Sequence, residues 1–189
     1  MENVLIVSHT DKGIEFFTEL LSSAGVLRVV SLKSCGEARR QLLQQDYDLV
    51  IVNAPLRDET GERLAREIAF RGASQIMLVV KSEFYDAVSA ACEDDGVMTI
   101  ARPLNRTVFW SAFKLAKSAQ SRLVRMQAEN NRLIQKIEDI RIVDRAKCIL
   151  ISCMNMSEKD AHRHIEKQAM DLRTTKRTVA EDILKTYES

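Results

Sequence analysis

The property that most restricts how this chain can fold is where sharp turns are allowed. All six glycines and both prolines fall within Met1–Pro103, and none follows. Glycine reaches backbone angles closed to other residues and proline cannot continue a helix, so these two supply most stops and turns. The first part of the chain can break often into short elements. The remainder, Leu104–Ser189, is expected to run as long helices joined by turns of polar residues. A charge boundary falls at the same place. Met1–Pro103 carries 11 Lys/Arg against 16 Asp/Glu, a net charge of −5, whereas Leu104–Ser189 carries 17 against 11, a net charge of +6. An acidic half joined to a basic half points to a control domain carrying a module for a polyanion. Solvated helix surface is the plainer account of the same lysines and arginines.

Composition removes several classes. A hydrophobic content of 46% suits a chain that folds around a core. No run approaches the roughly 18 apolar residues of a membrane span, so no membrane partner is expected. Met1-Glu2-Asn3-Val4 has no basic segment before its apolar run, which argues against a secretion signal. Cys35, Cys92, Cys148 and Cys153 lack zinc or redox spacing. Four free, mostly buried thiols fit a reducing compartment, and a cytoplasmic location is the expectation. His9, His162 and His164 form no metal cluster, because i, i+2 positions do not share a helix face. No nucleophile–base pair and no Gly-rich phosphate loop is evident, so the reading expects no catalytic residue, no metal and no cofactor.

Between the glycines of the first half, apolar runs alternate with helical stripes. Val4–Val7, Val26–Ser31, Asp48–Val52, Ile76–Val80 and Val97–Ile100 read as strands. Asp11–Ala24, Glu37–Gln45, Thr60–Phe70 and Phe84–Asp94 read as helices. Strands apolar throughout are buried on both faces, which calls for a parallel sheet. The expected fold class is α/β, a doubly wound parallel five-stranded sheet, with function at the carboxyl ends of the strands. Those ends hold Ser8, His9, Asn53, Val80 and Arg102.

Asp48 followed five residues later by Asn53, then Pro55, Gly61 and the pair Arg102-Pro103, resembles a response-regulator receiver domain over about residues 1–120. The resemblance implies a flavodoxin-like fold with a phosphate-accepting pocket. Four positions of that pocket are altered at once. Ser8 and His9 stand where an acidic pair would hold Mg²⁺, a hard cation that wants oxygen ligands. Asn53 stands at the phosphoacceptor position, where an aspartate would be the nucleophile. Val80 stands at the hydroxyl position, and Arg102 replaces the usual lysine. Asp11 remains nearby, but one carboxylate makes a poor Mg²⁺ site. The expectation is a pseudo-receiver that takes no phosphate.

Beyond Pro103, Phe109, Ala112, Ala116, Ala119, Leu123, Met126, Asn130, Leu133, Ile137 and Ile140 follow alternating steps of three and four. That spacing is an a/d seam. The span 121–140 reads as a coiled-coil linker, with Leu123, Met126, Asn130, Leu133, Ile137 and Ile140 as the seam of a homodimer. A single asparagine at an a position favours two parallel strands.

The last segment carries Ala146-Lys147-Cys148-Ile149-Leu150, Ala169-Met170 and Val179-Ala180 before an apolar tail. It resembles an ANTAR domain, the helical module named for the amidase and nitrate antitermination regulators. Cys148 and Ile151 depart from the usual glycine and methionine. The expected span is 129–189, a three-helix bundle whose first helix overlaps the linker. The resemblance implies binding to stem-loops in nascent leader RNA. Tyr187 is the only aromatic in this segment, so cations must carry much of the contact. The candidates are Arg141, Arg145, Lys147, Lys167, Arg173, Lys176 and Arg177. The functional expectation is a dimeric RNA-binding antiterminator controlled by a sensor or inhibitor protein, or by a small ligand. A DNA-binding regulator and a protein-interaction adaptor are the alternatives.

Overall fold

The structure, a computed structural model, describes residues 1–72 and 74–187. The chain divides into two compact units, Met1–Val124 and the segment from Arg125 onward.

The first unit is a five-stranded parallel sheet in the order β2-β1-β3-β4-β5. Its strands are β1 (Asn3–Ser8), β2 (Arg28–Leu32), β3 (Leu49–Asn53), β4 (Gln75–Lys81) and β5 (Met98–Arg102). Four helices alternate with them: α1 (Asp11–Ser23), α2 (Cys35–Leu42), α3 (Glu62–Arg71) and α4 (Tyr85–Cys92), the last entered through a 3₁₀ turn at Ser82–Phe84. The expected alternation holds, with no end displaced by more than three residues. Successive side chains in a strand face opposite ways, so each continuous apolar run feeds two cores. Val4, Ile6, Ile51, Met77 and Val79 pack with Phe17 and Leu20 of α1 and with Phe109 and Phe113. Leu5, Val7, Val50, Val52, Leu78 and Val80 pack with Ala38, Leu64, Ile68 and Val88 of α2–α4.

Local chemistry sets the helix starts. Thr10 Oγ1 accepts the Gly13 amide at the head of α1, and Ser34 Oγ accepts the Glu37 amide at the head of α2. Asp58 adds a second cap to α2 from a distant loop, accepting from the Cys35 and Gly36 amides at 3.1 and 3.0 Å. Burial raises the Asp58 carboxyl, but those amides outweigh it and leave its pKa lowered. Gly72 and Gly96 take the left-handed angles that close α3 and the stretch after α4.

After Pro103 the absence of turn residues has the expected effect. A single helix, α5, runs over Arg106–Met154. Its first turns bury Phe109, Ala112, Phe113 and Ala116 against the sheet. Its last turns join α6 (Glu158–Asp171) and α7 (Lys176–Tyr187) around Ala146, Leu150, Ala161, Ile165, Ala169, Val179, Ala180 and Ile183. Ser157 caps α6 through the Asp160 amide at 3.2 Å, and Thr175 accepts the Thr178 amide at 3.1 Å. With no glycine available, α6 ends on Arg173 at φ 51°, and α5 is followed by Asn155 at φ 51°. One expectation fails. Cys35 and Cys92 are buried, but Cys148 and Cys153 are exposed, because the core-facing row of α5 runs through Ala146 and Leu150 and leaves both thiols outside it.

Candidate functional site: a neutral strand-end pocket and a cationic groove

Two places gather polar side chains on a rigid frame. The first lies at the carboxyl ends of β1 and β3. Ser8 and Asn53 are paired in register, both are buried, and Asn53 Nδ2 donates to Ser8 Oγ at 3.0 Å. Ser8 Oγ donates onward to the Thr10 carbonyl at 3.3 Å. The first turn of α1 presses directly on this pair. A Cβ at Gly13 would stand 2.5 Å from Ser8 Oγ and 2.6 Å from Asn53 Nδ2. Arg102 donates to the Ala54 carbonyl, so its guanidinium is engaged by the loop after β3. The peptides Ala54–Pro55 and Arg102–Pro103 are both cis. A cavity of about 260 Å³ remains beside Asn53, Gly13, Val79 and Arg102.

These residues do not fit a divalent cation. The donors facing one another are a hydroxyl and an amide, and neither brings the charge that a hard cation requires. Asp11 is turned toward Lys33 at 2.6 Å, and that ammonium holds its carboxyl below the usual range. His9 is half-buried, with Nδ1 making no hydrogen bond among the described residues. The position assigned to Val80 needs correction. Asn53 pairs with Val79, so Val80 points to the opposite face and lies buried with Val52 and Leu64. The β4 residue on the Asn53 face at the strand end is Lys81, paired in register with Arg102 and ion-paired to Glu83 at 3.2 Å. Elsewhere in this unit Cys35, Asp58 and Glu59 lie close together. Asp58 is spent on helix amides, Glu59 on Arg39, and burial pushes the Cys35 thiol up to about 12.

The second place is in the helical unit. A groove of about 670 Å³ is bounded by all three helices and lined by Lys136, Lys147, His162, Lys176 and Arg177, with Ile140 and Val143 between Asp139 and Asp144. Three of the seven residues expected to meet RNA therefore converge: Lys147, Lys176 and Arg177. Each is already paired. Lys147 is held by Asp144 at 2.8 Å and Glu158 at 3.5 Å, with its side chain only 16% exposed, so it ties α5 to the first turn of α6. Lys176 is paired with Glu166, whose carboxyl that ammonium holds below its usual range. Arg177 bridges Glu181 and Asp139, both at 2.8 Å. The other four do not line this groove. Arg141, Arg145 and Lys167 lie on helices, and Arg173 sits in the left-handed turn after α6. Lys136, His162 and the two aspartates are groove residues that sequence reasoning missed. Lys136 and Asp139 stand three apart on α5 inside the span read as the seam, Asp144 follows on the same helix, and His162 comes from α6.

The seam residues Met126, Leu133, Ile137 and Ile140 are 52–60% exposed, Leu123 is half-buried, and Asn130 is exposed. No helix among the described residues is long and apolar enough to cross a membrane.

Comparison with known proteins agrees with this architecture. The family model for the ANTAR domain matches residues 131–184. Over 139 residues the chain is 30% identical to transcriptional regulatory protein PdtaR of Mycobacterium tuberculosis strains CDC 1551 / Oshkosh and H37Rv, covering 74% of this chain and 68% of that protein. The signal receiver domain of an HD domain-containing protein from Pseudomonas fluorescens Pf-5 superposes with a TM-score of 0.57 at 18% identity, covering 69% of this chain and 93% of that one. A response regulator receiver domain protein from Clostridium thermocellum superposes with a TM-score of 0.58 at 16% identity, covering 65% and 99%. At such identities the two structures speak to the fold alone.

Proposed function

Because the chain belongs to the ANTAR-domain response regulators, a family of transcription regulators, we propose that it binds stem-loops of nascent leader RNA as a cytoplasmic homodimer and acts by antitermination. The observation that carries this reading is the convergence of Lys136, Lys147, Lys176 and Arg177 on one groove within the matched segment. Phosphate contacts supply affinity and orientation, and unpaired loop bases supply specificity. Control passes through a sensor or inhibitor protein, or a small ligand, rather than through aspartyl phosphate. The support is Asn53, whose amide cannot act as the carboxylate nucleophile, and a pocket of neutral donors. Arg141, Arg145, Lys167 and Arg173 extend the cationic surface beyond the groove.

The test compares a two-hairpin RNA with duplex DNA of equal length, using the full chain across a salt series. Hairpin RNA should bind more tightly, and affinity should fall with salt. Lys136→Ala should flatten the slope by about 0.7–0.9 units if one phosphate contact is lost. Equal binding of duplex DNA would favour a DNA regulator, and binding of neither would favour an adaptor. For the dimer, light scattering should report two chains in wild type and one in Leu133→Asp/Ile137→Asp. A monomeric wild type would remove the seam from the account.

A further inference from the structure

The cavity of about 260 Å³ at the strand ends has a lining of two kinds. Lys12, Asn53 and Arg102 are polar; Phe16, Val79 and Leu104 are apolar; and no carboxylate lines it among the described residues. Its two cations are left over by the fold. Asp11, the carboxylate next to Lys12 in the chain, is held by Lys33 at 2.6 Å. Neither Lys12 nor Arg102 has an ion-pair partner among the described residues. The same unit does pair other cations, Arg39 with Glu59, Arg66 with Asp95 and Lys81 with Glu83. Arg102 spends one guanidinium nitrogen on the Ala54 carbonyl, while its Nε is buried with no partner among the described residues. A buried donor without an acceptor is a cost of folding, and a small turn of the guanidinium toward an acceptor in the cavity would relieve it. Asn53, only 7% exposed, gives one amide hydrogen to Ser8 and has a second to give. The place is also one that sheet topology favours. In the order β2-β1-β3-β4-β5 the chain leaves β1 and β3 in opposite directions, and ligands of such sheets gather at the carboxyl ends beside that switch point.

We propose that this cavity binds a small organic carboxylate without forming a covalent bond, its charge toward Lys12 and Arg102 and its apolar body against Phe16, Val79 and Leu104. The sign of the ligand follows from the lining. Arginine keeps its charge at any pH the fold survives, so a cation is repelled and a neutral molecule leaves the donors without an acceptor. The apolar part of the ligand follows from the other residues. Inorganic phosphate or acetate would satisfy the donors but cover none of the apolar wall, and burying apolar surface is what supplies affinity to a small ligand. The size follows from the volume, which lies below the range of about 300–1,000 Å³ that holds a drug-sized molecule. The inference rests on the reading of this domain as one controlled without aspartyl phosphate, and adds to it the chemical class of a ligand and the place that receives it.

Simple probes test it without knowledge of the natural ligand. The full-length protein, with isotope-labelled Leu and Val methyl groups and labelled side-chain amides, is titrated with benzoate and 3-methylbutanoate, with their neutral amides, and with acetate and inorganic phosphate. The expected result is saturable shifts of the Val79 and Leu104 methyls and of the Asn53 amide, with benzoate or 3-methylbutanoate acting at several-fold lower concentration than its amide, acetate or phosphate. Lys12→Gln and Arg102→Gln, each checked for an unchanged thermal midpoint, should weaken carboxylate binding several-fold and leave amide binding alone, while Arg102→Lys, which keeps the charge, should retain part of it. If Arg102→Gln lowers the thermal midpoint, Lys12→Gln decides, because that side chain is exposed and holds nothing in place. Equal binding of carboxylate and amide would overturn the proposal, since charge would then play no part. Phosphate or acetate matching benzoate would overturn it too, leaving an anion site without an apolar component, as would the lack of saturation by any probe at tens of millimolar. Intact mass after acetyl phosphate and Mg²⁺ separates the two levels. An unchanged mass without carboxylate binding removes only the ligand site, whereas an acyl phosphate removes the reading beneath it.

Discussion

Asn53 and Ser8 face each other across β1 and β3, paired in register and joined by a 3.0 Å hydrogen bond from the carboxamide to the hydroxyl. The bond satisfies an Asn53 amide donor that would otherwise be buried without a partner, which typically costs about 1–3 kcal/mol. It also fills the place where a receiver's chemistry would sit. Incubation with acetyl phosphate and Mg²⁺ should leave the intact mass unchanged. Asn53→Asp should remain unphosphorylated, because Ser8 and His9 still supply no acidic pair, and should lose about 1–3 kcal/mol in urea unfolding as the donated hydrogen bond disappears. An acyl phosphate on the wild-type chain would refute the pseudo-receiver.

Gly13 is the second element of that closure. Alanine is normally favoured over glycine inside a helix by about 1 kcal/mol. At this position its methyl would meet Ser8, Asn53 and Thr10 at 2.5–2.8 Å. Gly13→Ala should therefore destabilise the chain by about 1–3 kcal/mol, the usual cost of overpacking. Gly36 stands at a helix start with open surroundings, its nearest neighbour for a Cβ being Asp58 Oδ2 at 3.8 Å. Gly36→Ala should change little, and equal effects at the two sites would show that the contact at Gly13 is soft.

Arg173 holds a left-handed angle, φ 51°, where the α6 end would accept glycine without strain. Such a conformation costs a side chain on the order of 1 kcal/mol or more. Arg173→Gly should raise stability by about 1 kcal/mol in a denaturant titration. If Arg173 meets phosphate as proposed, the same variant should bind hairpin RNA less tightly. Opposite signs in the two measurements would identify a residue kept for contact rather than for folding. Unchanged RNA affinity would remove Arg173 from the interface.

Acid should weaken the first unit through Arg39, which grips Glu59 and, at 2.7 Å, Glu67. Its hydrogen bonds hold both carboxyls below the usual range. A carboxyl with a depressed folded pKa contributes stability above its unfolded value, near 4.5, and loses it as pH falls through the folded pKa. Stability should therefore decline below about pH 5. Because these side chains are partly exposed, solvent screening limits the network to about 1 kcal/mol. Arg39→Gln should lower stability at pH 7 and flatten this part of the acid limb. An identical pH profile in the variant would show that the ion pairs carry no stability.

The sheet was readable because Val4–Val7 and Asp48–Val52 are too apolar to be anything but buried strands, and glycines stop the helices between them. The α5 helix was readable for the opposite reason, the lack of any stop. What could not be read was which way each residue of such a run points. Val80 and Lys81 are neighbours in a strand whose apolar residues feed both cores, and only pairing with Asn53 and Arg102 tells their faces apart. The groove was half visible. The cations were nameable from composition, but their pairing with Glu158, Glu166 and Asp139 depends on how three helices come together. That pairing makes Lys147 a brace of the bundle before it is a ligand for RNA.

The neutral pair at the end of β1 and β3 has a consequence for timing. A receiver that carries an acyl phosphate has a built-in clock, because the bond hydrolyses at a rate set by the pocket and the signal decays with it. Asn53 can form no such bond. On the reading proposed here, any state of this domain lasts only as long as a bound partner or ligand stays in place. Its memory is a dissociation rate, tunable at a surface, and the response follows the concentration of the inducer without a covalent delay.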